Sequence, residues 1–388
     1  MKNHLPTVVL MTNFPGFGGG AEQQLASLAK GIDKNKFRVL LVALHDGNFA
    51  PWQIPQVECF SLKSKGKYDF LPMFRFMKIL TQNHVDIVQP FLSPSTLFGL
   101  APAFLVRTPI KVVTERCGVR NNPGLGYKLI SMTEDFLGHF AEVAVANSIA
   151  GQNMLIDRGY KPEKTRVIYN GLELKRLEVD PVQVEKIRAE FGIKPGQPVV
   201  GIAAWISPVK DHASFIKAAS IILKSKPEAR FAILGDGLSR PDLEVMVEKM
   251  QLTGKVVFLG RQSQVGNYLA LFDISVLSSI DHEGCSNSIL ESMYLGKPII
   301  ATDVGGNKEL VIPDENGFLV PPKNPEALAQ AILHLINDPE KARKMGENGR
   351  ARILAEFRQE RMVEYYQDLW LKLLEKKAAV RSGNHAQS

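Results

Sequence analysis

The sequence predicts an α/β protein of two domains, each built on a parallel sheet. Short apolar strand patterns alternate with helix-like segments along the chain, which is typical of βαβ units. The 388 residues are enough for two hydrophobic cores. Between Leu172 and Pro198 the sequence becomes charged and then turn-rich, and we place the domain boundary there.

The first domain is predicted over residues 1–180. Its first strand, Val8–Met11, leads through a glycine-rich turn into a helix at Ala21–Lys30. Backbone N–H groups in such a turn can approach a phosphate closely, so Gly19 and Gly20 are candidate anion-binding residues. Further strands are predicted at Arg38–Leu44, Ile87–Gln89, Lys111–Thr114, Ala141–Ala146 and Val167–Tyr169.

Two polar loops follow strands of this first domain. Phe91–Thr96 contains Ser95 and Thr96, and the strand at Lys111–Thr114 is followed by Glu115 and Arg116. Loops at strand ends often carry binding residues. We therefore take these four side chains as candidate ligand contacts.

The second domain is predicted over residues 181–355, and residues 356–388 are predicted as a helix that crosses back to the first domain. Its strand patterns lie at Val199–Ile206, Phe231–Leu234, Val256–Leu259, Ile274–Leu277 and Ile299–Ala301. The loops after the first four strands carry Lys210, Gly235, Arg261 and Glu283, respectively. In a parallel sheet these loops share one edge, where ligands bind.

The loop and helix after Ile274–Leu277 carry the densest set of candidate site residues. A helix amino end offers free N–H groups and a positive dipole end, so a diphosphate is a natural ligand. Glu283 lies in the loop and Glu291 about a turn inside the helix. An alternative stays open, in which Ser288 and Glu291 form a capping box that only satisfies backbone donors. The other candidates here are Gly284, Cys285, Ser286, Asn287 and Ser288.

Composition bounds the function class. Hydrophobic residues make up 45% and charged residues 22% of the chain, as in ordinary globular proteins. Three widely spaced cysteines fit no metal or redox pattern, so we expect reduced thiols. No signal-peptide pattern and no apolar run of about 18 residues appears, and we expect a cytoplasmic protein.

Positive charge is concentrated in the first half, where residues 1–180 hold 21 Lys and Arg against 15 Asp and Glu. This favours an acidic neighbour. An amphipathic segment at Tyr68–Leu80 follows three lysines, Lys63, Lys65 and Lys67. Two interpretations stay open: an interfacial helix that contacts an anionic membrane, and a core-facing helix with a solvated basic side. We find no nucleic-acid motif and expect no nucleic-acid partner.

Several of these segments together resemble glycosyltransferase family 4, the retaining GT-B enzymes that use nucleotide sugars. Glu283 and Glu291, within EGCSNSILESMYLGKPIIATDVGGNKE, match the family's E-x7-E motif and the glycine pair after it. Gly18-Gly19-Gly20-Ala21-Glu22 is similar to the family's amino-terminal glycine element. Further segments match in order, at Val145–Ser148, Val167–Gly171, Ser207–His212 and Asn316–Val320.

The resemblance implies the GT-B fold, with two Rossmann-like α/β/α domains that face a central cleft. It also implies roles for single residues. Glu283 would contact hydroxyls of the transferred sugar, and Glu291 would bind the ribose of the nucleotide. Lys210 would neutralise the leaving diphosphate with backbone N–H groups at Gly19 and Ser286–Ser288. Gly235 and Arg261 complete the expected donor site.

The expected reaction moves a sugar from a nucleotide sugar, UDP-linked by family frequency, to a glycan or lipid-linked acceptor near Ser95, Thr96, Glu115 and Arg116. No cofactor or metal is expected, because the chain contains no Asp-x-Asp motif. Two departures stand out. Trp205 replaces an arginine that many members carry, and Gln89 with Pro90 stands where many carry a histidine. The alternatives are a nucleotide-sugar epimerase or hydrolase of this fold and an inactive nucleotide-sugar-binding module.

Overall fold

A computed structural model describes residues 5–16, 19–66, 69–117 and 124–385. The chain divides into two compact units. Unit 1 comprises Met1–Gly171 and Gln359–Ser388, and unit 2 comprises Leu172–Arg358. Each unit contains one parallel sheet with helices, so the predicted α/β class with two parallel sheets is confirmed.

Unit 1 contains a seven-stranded sheet in the order β3-β2-β1-β4-β5-β6-β7. Its strands are β1 (Thr7–Thr12), β2 (Arg38–Ala43), β3 (Val57–Ser61), β4 (Ile87–Pro90), β5 (Ile110–Glu115), β6 (Val143–Ala146) and β7 (Thr165–Val167). Its first five helices are α1 (Gly20–Gly31), α2 (Leu71–Gln82), α3 (Ser95–Leu105), α4 (Leu125–His139) and α5 (Ile149–Asp157).

Helices α2 to α5 form one layer of unit 1. Phe76 of α2 and Phe98 of α3 share an apolar cluster with the sheet, while Leu100 of α3 and Leu155 of α5 share the next one. Helix α3 packs between α2 and α4. Helix α1 lies in a separate cluster on the sheet. β1 connects to β2 on one side of it, whereas β4 connects to β5 on the other side. Because both crossovers are right-handed, their helices, α1 and α3, lie on opposite faces of the sheet.

Unit 2 contains a six-stranded sheet in the order β10-β9-β8-β11-β12-β13. Its strands are β8 (Val199–Ala203), β9 (Arg230–Leu234), β10 (Val256–Gly260), β11 (Ile274–Leu277), β12 (Ile299–Thr302) and β13 (Gly317–Val320). Its helices are α6 (Pro181–Glu190), α7 (His212–Ile222), α8 (Arg240–Lys249), α9 (Val265–Ala270), α10 (Asn287–Tyr294), α11 (Asn307–Leu310), α12 (Pro325–Asn337) and α13 (Pro339–Glu356). A 3-10 turn, Leu174–Leu177, precedes α6.

The last helix, α14 (Gln359–His385), belongs to unit 1. It packs against α1 and buries Met362, Val363, Tyr366 and Trp370 in the α1 cluster. Trp370 meets Phe37 edge-on, with ring centroids 5.5 Å apart. Two segments of the chain, far apart in sequence, therefore build one core.

The structure corrects three details of the strand and helix predictions. β3 and β13 were not predicted as strands, and β7 begins at Thr165 instead of Val167. In the segment predicted at Tyr68–Leu80, α2 buries Pro72, Phe76 and Leu80. Lys67 and Tyr68 lie outside the described residues.

Candidate functional site

Lys210 and Glu283 meet at the edge of the unit 2 sheet. β8 connects toward β9 on one side and β11 connects toward β12 on the other, so β8 and β11 flank the switch point of this sheet. A crevice opens outside the carboxyl ends of two such strands. Lys210 follows β8 and Glu283 follows β11, and topology therefore brings together two residues that are far apart in sequence.

The two side chains form an ion pair in which Lys210 Nζ donates to Glu283 Oε1. Ser279 Oγ donates to the same oxygen. The carboxylate is buried and the lysine is partly exposed. Two donors compensate the burial of Glu283, because a buried charge is tolerated when it is paired and hydrogen-bonded.

Residues at and after the end of β12 hold the loop that carries Glu283 through hydrogen bonds. Thr302 Oγ1 donates to the Ser279 carbonyl over 2.6 Å, and the Gly306 N–H donates to the Glu283 carbonyl over 2.8 Å. Gly305 has φ +50°, and a Cβ there would lie only 2.2 Å from the Glu283 carbonyl oxygen. The glycine pair therefore allows the backbone approach that fixes Glu283.

The turn that carries Lys210 is fixed by the loop after β11. Ser278 Oγ donates to the carbonyls of Lys210 and Asp211 over 3.0 Å each. The Ile280 N–H donates to the Val209 carbonyl over 2.8 Å. Asp211 is left-handed at φ 46°, and its carboxylate caps α7 by accepting from the Ser214 N–H. Both partners of the ion pair thus sit on loops that are hydrogen-bonded to each other.

Glu291 lies inside α10 and is buried. Burial raises the pKa of Glu291 to about 7, and the Arg176 guanidinium opposes that rise. Arg176 Nη1 lies 3.8 Å from Glu291 Oε1. The capping-box alternative is wrong, because α10 begins at Asn287 with Ser286 as its N-cap and no side chain caps it.

The remaining residues of this stretch surround the start of α10. Gly284, Cys285 and Ser286 are buried, and Asn287 and Ser288 are partly buried. The hydroxyls of Ser286 and Ser288 lie 3.1 Å apart. The first turn of α10 therefore brings both serine hydroxyls together at the amino end of the helix.

Gly235 and Arg261 follow β9 and β10. Gly235 has φ +142°, and a Cβ there would lie 2.0 Å from the Ala204 carbonyl oxygen, so only glycine lets these loops touch. Arg261 is exposed. Trp205, the departure from the family pattern, is 53% exposed on the loop after β8.

His212 is a residue that the sequence analysis did not single out. It is the first residue of α7 and is buried, and neither ring nitrogen has a hydrogen-bond partner among the described residues. Burial and the nearby Lys210 lower the pKa of His212 to about 4. The ring is therefore neutral at pH 7. The signal in the sequence was its position at the end of the matched segment Ser207–His212.

In unit 1 the glycine turn precedes α1. Gly19 is its N-cap and Gly20 its first residue, while Phe17 and Gly18 lie outside the described residues. Glu22 is buried in the first turn, and burial raises the pKa of its carboxyl. A Cβ on Gly19 would lie 3.2 Å from Glu22 Oε2, so the carboxyl lies close to the glycine turn.

The candidate contacts of unit 1 are buried or bonded within the unit. Ser95 and Thr96 are buried, and Asn13 Oδ1 accepts from both the N–H and the hydroxyl of Ser95. Glu115 accepts from the N–H groups of Arg116 and Cys117, over 2.9 and 2.8 Å, and pairs with Arg158. These side chains hold the loops of the unit 1 edge.

Arg116 lies in a second network of unit 1. Its guanidinium donates to Asn170 Oδ1 over 2.6 Å and to the Tyr366 hydroxyl over 3.3 Å, and lies 4.7 Å from the centre of the Phe91 ring. Arg116 therefore ties the loops after β4 and β5 to α14. Residues 118–123, part of the loop predicted at Arg120–Gly126, lie outside the described residues.

Within the described ranges, no three His, Cys, Asp or Glu side chains gather in a way that would hold a metal ion. The unit 2 edge presents the Lys210 ammonium, the carboxyls of Glu283 and Glu291, the hydroxyls of Ser286 and Ser288, and the amino end of α10.

Two family profiles match the chain. "Glycosyltransferase Family 4" matches residues 18–176, and "Glycosyl transferases group 1" matches residues 183–352. Together they cover most of the chain, and they divide it near the boundary of the two units.

Curated relatives match over long segments. N-acetyl-alpha-D-glucosaminyl L-malate synthase of Bacillus anthracis is 28% identical over 82% of this chain and 83% of its own length. A Campylobacter jejuni 4-alpha-N-acetylgalactosaminyltransferase, which by its name acts on a diphospho-undecaprenol saccharide, is 25% identical over 85% of this chain and 90% of its own. Bacillus subtilis EpsD, assigned as a glycosyltransferase, is 31% identical, but the alignment spans only 52% of each chain.

Solved structures match over nearly the whole chain. Anabaena HepE in complex with UDP has a TM-score of 0.81 at 25% identity, covering 94% of this chain and 100% of HepE. HepE has also been solved with UDP-glucose, and that structure matches with a TM-score of 0.79.

Proposed function

The chain belongs to the GT-B glycosyltransferases of family 4, and from this premise we propose that it is a retaining transferase that moves a sugar from a UDP-sugar to a glycan or lipid-linked saccharide. A role in cell-surface polysaccharide or glycoconjugate synthesis follows from that acceptor class. The enzyme works in the cytoplasm, at the inner membrane face.

The ion pair of Lys210 and Glu283 carries this proposal. It places a cation and a carboxylate at the switch point between β8 and β11, next to the amino end of α10. A donor diphosphate draws on the Lys210 ammonium and on the N–H groups at Ser286–Ser288, which stabilise its charge as it leaves. Glu283 then accepts hydrogen bonds from hydroxyls of the transferred sugar.

The surroundings of Glu283 argue against covalent catalysis by this carboxylate. Both Lys210 and Ser279 donate to the same oxygen, and these bonds stabilise the carboxylate and lower its nucleophilicity. The proposal therefore gives Glu283 and Glu291 separate binding roles, on sugar and ribose, and not those of a glycosidase pair. Charge neutralisation by Lys210 and α10 also replaces a metal, so the reaction should persist in a metal chelator.

Donor and acceptor classes rest on relatives. HepE has been solved with UDP and with UDP-glucose, and the Campylobacter jejuni relative is named for a diphospho-undecaprenol acceptor. We assign UDP as the nucleotide of this chain and a polyprenyl-diphosphate saccharide as one form of its acceptor. The acceptor lies against the unit 1 edge, which Ser95, Thr96, Glu115 and Arg116 frame through the bonds described above.

A thermal-shift screen against UDP-, GDP-, ADP- and TDP-sugars tests the donor site. A ligand at about 100 times its dissociation constant adds about 2.7 kcal/mol to the free energy of unfolding, which raises the melting temperature measurably. UDP-sugars should stabilise the wild type, and Glu291→Gln should lose that stabilisation. If none of the nucleotide sugars raises the melting temperature, the donor assignment is wrong.

Product analysis then tests the reaction. Wild-type protein with its stabilising donor and a lipid-linked saccharide should give a transferred sugar with the anomeric configuration of the donor, and EDTA should leave the rate unchanged. Free sugar released at full rate without acceptor identifies a hydrolase, and donor isomerised without acceptor identifies an epimerase. Donor binding without any turnover identifies an inactive binding module.

A further inference from the structure

Helix α4 exposes an apolar stripe along one side. Leu129, Met132, Phe136 and Phe140, which follows the helix end, are each between 60% and 64% exposed. Their spacing of three or four residues places them on one face of a helix. Phe136 and Phe140 meet edge-on with ring centroids 5.3 Å apart. Four large side chains in one row differ from the single exposed apolar residues that any protein surface carries.

The neighbouring helices extend this surface. Phe70, Leu71 and Phe74 at the start of α2 are each more than half exposed, and Leu105 at the end of α3 is 70% exposed. Because α3 packs between α2 and α4, these residues belong to the same helix layer as the stripe. The layer therefore presents apolar side chains from three helices, while its opposite side buries Phe76, Phe98 and Leu100 against the sheet.

Cations predominate at the surface of this layer, where the Asp69 carboxylate directly before α2 accepts from the Leu71 N–H. Exposed cations lie among the apolar residues at Arg75, Lys78, Arg107 and Lys128. Helices α2 and α3 contain no acid; of the two acids of α4, Glu134 is buried and Asp135 pairs with Arg158. No helix in the described part of the chain is long and apolar enough to cross a bilayer.

We propose that the outer face of α2, α3 and α4 is a docking surface for an anionic lipid bilayer. Aromatic and aliphatic side chains enter the boundary between headgroups and acyl chains, and the four cations contact lipid phosphates. Charge complementarity selects this partner, because an apolar face bordered by exposed cations matches a negative, fluid surface. The inference deepens the proposed function, since a membrane-held enzyme meets a lipid-linked acceptor in two dimensions.

Vesicle flotation tests the proposal directly. The wild type should float with phosphatidylglycerol-phosphatidylcholine vesicles at least about tenfold more than with phosphatidylcholine alone, because each cation near an anionic surface contributes about 1 kcal/mol. Raising salt from about 0.1 M to about 1 M shortens the Debye length from about 10 Å to about 3 Å and should remove that preference. A wild type that floats with neither vesicle, or equally with both, overturns the proposal.

Matched variants locate the surface. Met132→Ser/Phe136→Ser should reduce flotation by about tenfold or more, because two anchoring side chains are lost. Val182→Ser/Leu354→Ser, at exposed apolar positions of unit 2, should float as the wild type does. Melting temperatures should stay unchanged, because all four side chains are exposed. Equal loss in both variants overturns the assignment of the surface.

Two further readouts separate this inference from other outcomes. UDP should stabilise Met132→Ser/Phe136→Ser as much as it stabilises the wild type. If the wild type floats with vesicles but is not stabilised by UDP, the result counts against the proposed function and not against the docking surface. If light scattering shows a wild-type dimer that the same substitutions dissociate, and no vesicle is bound, the stripe is a self-association surface and the lipid assignment fails.

Discussion

The switch point of unit 1 is bridged by neutral groups, and that of unit 2 by an ion pair. In unit 1, β1 and β4 flank the switch point, and the Asn13 side chain spans it by donating to the Ser93 carbonyl and accepting from Ser95. In unit 2, Lys210 spans the equivalent position to Glu283. The same topology thus supports a neutral bridge in one unit and a charged one in the other.

The two units share a topology but use the polar groups at their sheet edges differently. Polar groups at the unit 1 edge, such as Glu115, are used up on backbone N–H groups and on Arg158. The unit 2 bridge joins two side chains whose charges can be redistributed when an anion binds. We therefore expect substitutions at the unit 2 edge to change catalysis and those at the unit 1 edge to change stability.

Lys210→Ala is the strongest test of this comparison. Loss of the ammonium removes a donor to the leaving group, and the loss of one such donor reduces kcat by about 10²–10³. Steady-state kinetics should show this drop. Lys341→Ala, which breaks the exposed pair with Asp314, is the control and should keep wild-type kinetics. Equal kcat in the two variants would remove the catalytic distinction between the two units.

Glu291 makes the stability of unit 2 depend on pH. Its folded pKa of about 7 exceeds the ordinary value of 4.5, so folding favours the protonated form. The stabilisation is complete below about pH 4.5 and falls as pH rises toward and past 7. The total is on the order of 3 kcal/mol, from about 1.4 kcal/mol per pKa unit.

Urea titrations of wild type and Glu291→Gln from acid to alkaline pH measure this dependence. The free energy of unfolding of the wild type should fall relative to that of Glu291→Gln as pH rises from about 4.5 to about 8. The variant carries the same His212, whose lowered pKa acts with the opposite sign, so that contribution cancels in the difference. A difference that does not vary with pH would show that folding leaves the pKa of Glu291 unchanged.

Glu115→Gln should destabilise unit 1 while leaving donor binding intact. The change removes the charge opposite Arg158 and weakens two hydrogen bonds to backbone N–H groups, at a cost of about 2 kcal/mol. Urea unfolding measures the loss, and the UDP thermal shift should be unchanged. A reduced UDP response with normal stability would reverse the roles that we give to the two edges.

Arg176→Gln should have the smallest effect and refine the description of unit 2. Arg176 lowers the pKa of Glu291 from a turn that no sequence motif marks. Without it, we expect UDP to bind about fivefold more weakly at pH 7, with kcat unchanged, since a partly exposed pair contributes about 1 kcal/mol. Equal affinity for UDP in wild type and variant would limit Arg176 to a packing role.

The sequence was sufficient for the fold and for much of the unit 2 edge, because buried parallel strands appear as continuous apolar runs. It missed β3 and β13, which are partly exposed strands at the edges of their sheets. β7 was misplaced because pairing with β6 sets its position, with Val145 opposite Arg166. The apolar run Val167–Tyr169 did not reveal that register.

The site residues also fall into those that the sequence revealed and those that it did not. Lys210 and Glu283 were accessible to sequence reasoning, because each directly follows a strand pattern of one sheet. The pairing of Arg176 with Glu291 was not accessible, since it depends on where a turn outside the sheet packs. The hydrogen bonds of Glu115 could not be predicted from the sequence either, because they depend on the backbone conformation of Cys117. That residue has a left-handed φ of 51°, and its N–H turns back toward the Glu115 carboxylate.

The placement of α14 sets an order for biosynthesis. Tyr366 and Trp370 fill the core of unit 1, yet they are translated after every residue of unit 2. On the ribosome, unit 2 is complete in sequence while unit 1 still lacks part of its interior. The amino-terminal unit is therefore the later one to reach its native core, and a nascent chain stalled near Arg358 leaves an apolar surface on unit 1 for chaperones to cover.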